Sequence, residues 1–312
     1  MDLNDRVLRR LKLSDLRLFH AVAQHGSMAK AATHLNLSQP AVSKAIAALE
    51  RTLGVHLLDR SPQGVNLTPY GSALLKGGIA VFDDLKQSVS QIAFLADPSA
   101  GDVRIGCTDA GAVALVPAVI DRLSRQYPKL VFHVTIADTA SLAAHALPER
   151  TVDLAIGATP ELVSDAQIQV ERLFTDRQVV MAGPRNKWVR RRNIALRDLL
   201  KDPWILPPAD SIAGRYNAEV FRSSGLETPS AQVVSFSYPL CHALLATGRF
   251  LTLQPLLMAR LAKHLPVRVL DVKFAGVRRS IGIMTLSNRT LSPLAQLFVA
   301  CARDIAGVLR KG

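Results

Sequence analysis

The apolar positions near the N-terminus repeat at helical spacing in three short bursts. Leu16, Phe19, Val22 and Ala23 form one stripe, which predicts a helix over residues 13–24 with Ser14 as its N-cap. Residues 1–12 ahead of it read as a basic lead-in. Gly26-Ser27 reads as a turn and a new N-cap. Ala29, Lys30, Ala31 and Ala32 then favour a second helix, ended by Leu35-Asn36-Leu37. Ser38 caps a third helix, with Pro40 in its first turn, where a missing N–H costs nothing. Val42, Ile46, Leu49 and Leu53 recur along it at i, i+4, i+7 and i+11, and Gly54 closes it.

Past Gly54 the pattern shortens to two strands. Residues 55–60 and 65–68 flank the turn residues Ser61-Pro62-Gln63-Gly64 and predict a hairpin, a wing beside the helical pair. From Thr68-Pro69 the helical period returns. Leu75, Ile79, Phe82, Leu85, Val89, Ile92 and Leu95 follow each other at close to the ~3.5-residue repeat of paired helices. A lone helix with such a stripe needs something to bury it. Leu75, Ile79, Phe82, Val89 and Ile92 are therefore candidate dimer contacts, the alternative being packing on the chain's own core.

Asp97-Pro98-Ser99-Ala100-Gly101 is the clearest boundary. Beyond it, strands at 103–107, 130–136 and 152–157 alternate with helices at 112–126 and 141–147. A second set follows: strands near 178–181, 204–206, 232–236 and 250–253, with helices at 215–224 and 239–247. From about residue 277 the chain returns to the first set and ends in a helix over 294–309. This alternation predicts an α/β region of two lobes.

Charge sharpens the picture. The 312 residues carry a formal net charge of +13, which favours polyanionic partners, nucleic acid or an acidic membrane surface. No Asp or Glu occurs from Leu16 to Leu49, while Arg17, Lys30 and Lys44 do. The outer face of the third helix offers Gln39, Ser43 and Lys44; Gln pairs with adenine, and Lys reaches guanine or phosphate. Candidate DNA contacts are Ser27, Ser38, Gln39, Pro40, Ser43 and Lys44, with Arg60 at the wing rim on the backbone or in the minor groove. The plainer alternatives are an Ala-rich helical hairpin and, for Arg60, a solvated charge. The run Arg185, Lys187, Arg190, Arg191, Arg192 and Arg197 reads as a solvated loop rather than a second nucleic-acid patch.

Cys107, Cys241 and Cys301 are widely spaced and form no CxxC, so neither a metal site nor a disulfide framework is expected, and no cofactor. The N-terminus lacks the apolar core of a signal peptide, and no run of about 18 apolar residues occurs. The expected location is the cytoplasm, away from membranes. Enzyme signatures such as GxSxG, a Walker loop, HExxH or GxGxxG are missing from the sequence.

The string Ser38-Gln39-Pro40-Ala41-Val42-Ser43, followed by Ile46, Leu49-Glu50, Leu53-Gly54, Leu57-Leu58 and Arg60, resembles the LysR-type transcriptional regulators. Later phrases match as well: Val152-Asp153-Leu154-Ala155-Ile156-Gly157, Asp202-Pro203-Trp204-Ile205-Leu206-Pro207, Gly225-Leu226 with Pro229, and Leu291-Ser292-Pro293. The resemblance spans residues 13 to 306. It implies a winged helix-turn-helix at 1–68, a dimerising linker helix at 69–97, and a two-lobed sensor of the periplasmic-binding-protein type (type 2) at 98–312. Lobe 1 would take about 101–170 and 272–312, and lobe 2 about 171–271. It also implies a homodimer, assembled further to a homotetramer, on double-stranded DNA at an interrupted inverted repeat. A small-molecule effector and RNA polymerase are the other implied partners.

Folds of this kind bind ligands between the lobes, at the carboxyl ends of strands. Four loops qualify: Cys107 to Gly111, Asp138-Thr139, Pro207 to Ser211, and Ser235 to Tyr238. Thr108, Asp109, Thr139, Pro207, Ser211 and Ser237 are the candidate effector contacts, and for each hydroxyl helix capping is the alternative. Thr108 and Thr139 match the family's effector loops by position. Phe250 stands where the family usually has a second glycine after Gly248, which suggests a tighter turn or a partly filled cleft. Two other readings stay open: a redox sensor using Cys107 and Cys241, and a transport-type solute-binding protein, which would need a signal peptide and no helix-turn-helix.

Overall fold

The computed structural model describes residues 7–61, 64–159, 167–261, 267–274 and 277–309. The chain divides into two compact units, residues 1–88 and 89–312.

In the first unit, three helices pack on one another: α1 (Leu13–His25), α2 (Met28–Leu35) and α3 (Gln39–Leu53). Ser27 and Ser38 cap α2 and α3, accepting from the backbone N–H of Lys30 and Ala41. The expected cap of α1 is corrected. Lys12 holds the N-cap position, its backbone N–H donates to Asp15 Oδ2 at 3.1 Å, and Ser14 lies inside the helix. The Asp15 carboxylate ties the Lys12 N–H back to the first turn, the carboxylate half of a capping box. Phe19, Val22, Ala31, Val42 and Ile46 are almost wholly buried where the helices meet. Each of the larger side chains contributes roughly 1.5–3 kcal/mol by leaving water. Gly54 ends α3 in the left-handed region at φ 72°, its N–H returning to the Glu50 carbonyl.

A hairpin of β1 (Leu58–Ser61) and β2 (Gly64–Leu67) follows, with Arg60 opposite Val65. The expected turn residues Pro62-Gln63 and the Arg60 side chain lie outside the described residues. Then α4 (Pro69–Ala96) runs uninterrupted, Gly77-Gly78 included. Leu75 is one qualification to its seam: it packs partly on the first unit's own core, beside Leu74.

The second unit is built on one mixed sheet. Its first part contains β3 (Ala100–Cys107), β4 (Lys129–Ile136), β5 (Leu154–Ala158) and the first half of β6 (Ile168–Ala182). Its second part contains the end of β6, β8 (Trp204–Leu206), β9 (Ala231–Val234) and β10 (Leu251–Pro255); short strand β7 (Ile194–Ala195) pairs elsewhere. A small strand β11 (Arg268–Val269) joins β6, and β12 (Val272–Lys273) pairs with β7. Strand β13 (Arg278–Leu286) returns between β5 and β6, giving the order β4-β3-β5-β13-β6-β10-β8-β9. β6 is therefore the element shared by both lobes.

Helices cover the sheet. The expected helix 112–126 is two, α5 (Asp109–Ala114) and α6 (Val116–Gln126). Pro117 has no N–H to continue the ladder, so the chain breaks at Leu115, and Thr108 starts α5 earlier by accepting from Gly111 N. The expected helix 141–147 is a single turn, α7 (Thr139–Ser141), that widens into a π-helical turn over Leu142–Ala146. In the second lobe α8 (Ile212–Arg222) and α9 (Tyr238–Ala246) carry the cleft wall. The short α10 (Leu256–Leu261) was not foreseen; α11 (Pro293–Leu309) closes the first lobe, burying Phe298 and Ala302 against β3 and β13 neighbours. Phe250 is buried among Val179, Met181 and Leu245, so it packs into the second lobe's core and does not fill the cleft.

Candidate functional site

On the first unit, the third helix presents two faces. Val42, Ile46 and Leu49 point into the core, while Ser38, Gln39, Pro40 and Lys44 are exposed. Gln39 Nε2 donates to Ser43 Oγ at 3.1 Å, and the Ser43 hydroxyl donates on to Met28 Sδ at 3.1 Å. Ser43 is thus committed locally and orients Gln39. Ser27 and Ser38 are caps, and Lys30 and Arg17 are exposed. Glu50 stands in the family string, with no role expected of it. Its Oε1 accepts from Leu57 N at 2.8 Å and Leu58 N at 3.3 Å, tying the entry of the wing to α3.

On the second unit, the loops at the strand ends converge on a cavity of about 470 Å³. Thr108, Asp109 and Thr139 come from the first lobe; Ser211 and Ser237 come from the second. Each of these hydroxyls except Thr139 caps a helix. Thr108 accepts from Gly111 N at 3.3 Å, Ser237 from Leu240 N at 3.3 Å, and Ser211 from Gly214 N at 2.9 Å. Ser211 also donates to the Pro208 carbonyl at 2.6 Å, which leaves its hydroxyl no proton to offer a ligand. Thr139 is buried beside Gly157, where an added Cβ would come within 3.1 Å of its Oγ1 and 3.0 Å of Thr108 Cγ2. Gly157 therefore keeps the cleft floor open between the two threonines. Pro207 is set deeper, against Gln178 and Gln254 rather than the main cavity.

The sequence reading missed Arg279. It leaves β13 into the cleft, is 5 % exposed, and hydrogen-bonds the Tyr238 hydroxyl. Nothing local marked it, because the sequence offers no cap position or motif at Arg279. Asp138, Ile136, Ile212 and Phe236 line the cavity too. Asp138 accepts from Ala140 N and Ser141 N and is held below the usual carboxylate range, those bonds and the Ser141 hydroxyl outweighing its burial.

Asp109 joins the lobes. Burial raises its carboxyl above the ordinary value, and the Tyr238 backbone N–H, at the start of α9, donates to it and partly offsets the rise. Cys107 and Cys241 lie close by, but both are buried. Burial, and then the Asp109 charge, push both thiols up to about 11. A thiol with such a value is not a thiolate near neutral pH, which argues against redox chemistry there.

Comparison with known proteins agrees with this layout. Residues 13–72 match the bacterial regulatory helix-turn-helix of the lysR family, and residues 96–307 match the LysR substrate binding domain. The HTH-type transcriptional regulator GbpR of Azospirillum brasilense is 29% identical over 298 residues, covering 94% of this chain and 86% of its own. The SDS degradation transcriptional activation protein of a Pseudomonas species is 30% identical over 293 residues, covering 91% and 93%. Among solved structures, full-length OxyR from Pseudomonas aeruginosa superposes with a TM-score of 0.69 at 21% identity, covering 94% of this chain and 95% of that one. CbnR, a LysR family transcriptional regulator, gives 0.66 at 20% identity, covering 95% and 99%. A helix-turn-helix head with one exposed polar face, and a two-lobed domain whose strand ends meet at one cavity, thus belong to a single chain. The protein is a member of the LysR family of transcriptional regulators.

Proposed function

We propose that this regulator reads double-stranded DNA through Ser38, Gln39, Pro40, Ser43 and Lys44 of α3, with Ser27 and Arg60 on the flanking backbone. It works in the cytoplasm as a dimer paired along α4, and as a tetramer on an interrupted inverted repeat, where it contacts RNA polymerase. Full-length CbnR, solved in complex with its target DNA, has this fold, at a TM-score of 0.55. A small molecule bound between Thr108, Asp109 and Thr139 on one lobe and Ser211 and Ser237 on the other sets how DNA is bound or bent. Pro207 would close the deep end.

The observation that carries this reading is the convergence of both lobes on one cavity of about 470 Å³ with an Asp109–Tyr238 hydrogen bond spanning it. A ligand shifts a conformation only by binding the two states differently, and only a closed cleft touches a ligand from both sides. A thermal-shift screen of metabolites identifies the effector, since a ligand of the native state raises its stability. Thr108→Val should then abolish the response to that effector while leaving unliganded DNA binding intact. A normal response in Thr108→Val would remove the cleft from the account. Ser211→Ala is the weaker probe, because the Ser211 hydroxyl is already spent on its cap.

A further inference from the structure

The cleft continues inward. Behind the main cavity lies a compartment of about 40 Å³, bordered by Gln178, Gln254, Tyr238 and Arg279. Ala213, Phe236, Tyr238 and Arg279 border the outer cavity as well, so they form the wall between the two. Gln178, Gln254 and Arg279 are 3 %, 2 % and 5 % exposed. Among the described residues, three buried polar atoms of residues 89–312 lack a hydrogen-bond partner: Gln178 Oε1, Gln254 Nε2 and Arg279 Nε. All three side chains border this one compartment.

Their other ends are fixed. Gln178 Nε2 donates to Asn217 Oδ1 at 2.9 Å, and Gln254 Oε1 sits 3.0 Å from His242 Nε2. The His242 ring in turn stacks on Tyr238, whose hydroxyl takes a hydrogen bond from Arg279. These side chains are held in place with one hydrogen-bonding atom each left over. Buried polar groups in native proteins are almost always paired, so three such atoms on residues bordering one compartment call for an explanation.

We propose that this compartment receives the head group of the effector, and that the head group is a carboxylate with a hydrogen-bond donor on the adjoining carbon, as in an α-hydroxy or α-amino acid. The inference rests on the cleft being the sensing site and adds the chemistry of what it senses. Two of the three atoms are donors, and one is cationic; together they ask for an anionic acceptor. The third, Gln178 Oε1, asks for a donor beside it. The compartment has room for only a few heavy atoms, so the rest of the molecule lies in the outer cavity against Ile136, Ile212 and Phe236. Asp109 stands in that outer cavity, where a second carboxylate on the ligand would be repelled, so a monoacid is favoured over a diacid.

The test is isothermal titration of the full-length chain with four small probes that share a three-carbon frame: lactate, alanine, propanoate and propane-1,2-diol. Lactate or alanine should bind about tenfold more tightly than propanoate or the diol, because only they satisfy donors and acceptor together. Arg279→Gln should weaken that binding by about tenfold or more, and Arg279→Lys should recover part of it. Gln178→Met should erase the preference for lactate or alanine over propanoate while leaving propanoate unchanged, a ratio within one protein that misfolding does not imitate. Equal binding of acid and diol, an unaffected Arg279→Gln, or no binding by any probe would overturn the assignment. The screened effector separates the two readings. If its action needs Thr108 but not Arg279, the head-group assignment falls and cleft sensing stands. If it needs neither, both fall.

Discussion

A single buried carboxylate shows how much the sensor depends on individual side chains. Asp153 accepts from Arg104 Nη2 at 2.7 Å and Arg289 Nη2 at 2.7 Å, with Arg289 wholly buried. Arg104 also donates to the Arg150 carbonyl at 2.9 Å, and Arg289 to the Val152 carbonyl at 2.8 Å. Burial pushes Asp153 up, but the hydrogen bonds from Arg104 and the two guanidinium charges outweigh it and hold the carboxyl below its ordinary 3.8. The folded chain therefore binds fewer protons here than the unfolded chain. The contribution is complete above the ordinary value and is lost as pH falls through the depressed one. Asp153→Asn leaves two guanidinium groups without their shared anion and should cost about 3 kcal/mol in urea unfolding followed by tryptophan fluorescence. It should also flatten the acid limb of the stability profile; an unchanged midpoint and limb would show that the triad is not a stabilising element. On the DNA face, Gln39→Ala should lose roughly 1–3 kcal/mol on the specific site and little on random DNA. Equal losses on both would place Gln39 on the phosphate backbone. Arg60→Ala should weaken all sequences alike and reduce the salt dependence.

Elements were more legible than sites. Ser27, Ser38 and Gly54 marked the helix-turn-helix because capping is local chemistry, readable from one residue and its neighbours. Ser14 misled because a competing acid, Asp15, sat one position on. Pro117 was visible in the sequence, yet the break it causes was not drawn from it. Thr108 and Thr139 were found because helix starts after strands are predictable cleft positions. Arg279, Gln178 and Gln254 were not, because their meeting depends on β13, β6 and β10 lying side by side, which no spacing along the chain records. α4 offers the clearest test at this scale. Val89, Ile92 and Leu95 on it are 66%, 68% and 77% exposed, a stripe that a partner helix would cover. Val89→Asp should lower the mass of the assembly in sedimentation; wild-type mass in that variant would exclude pairing along this stripe.

At the scale of the whole molecule, the proposed mechanism couples a ligand cleft to the placement of two DNA-reading heads. In a dimer the paired α3 helices should enter successive major grooves about 34 Å apart, on an interrupted inverted repeat. Lobe closure on a ligand would then change the bend or the spacing of contacts more than the raw affinity. The most direct measurement is footprinting of the assembled protein on its target site, with and without the identified effector, for wild type and Thr108→Val. The wild type should show two protected half-sites in related orientation and a footprint that shortens or shifts with effector, and Thr108→Val should show no shift. A single unrepeated protected site, or an effector-dependent shift that persists in Thr108→Val, would contradict this mechanism.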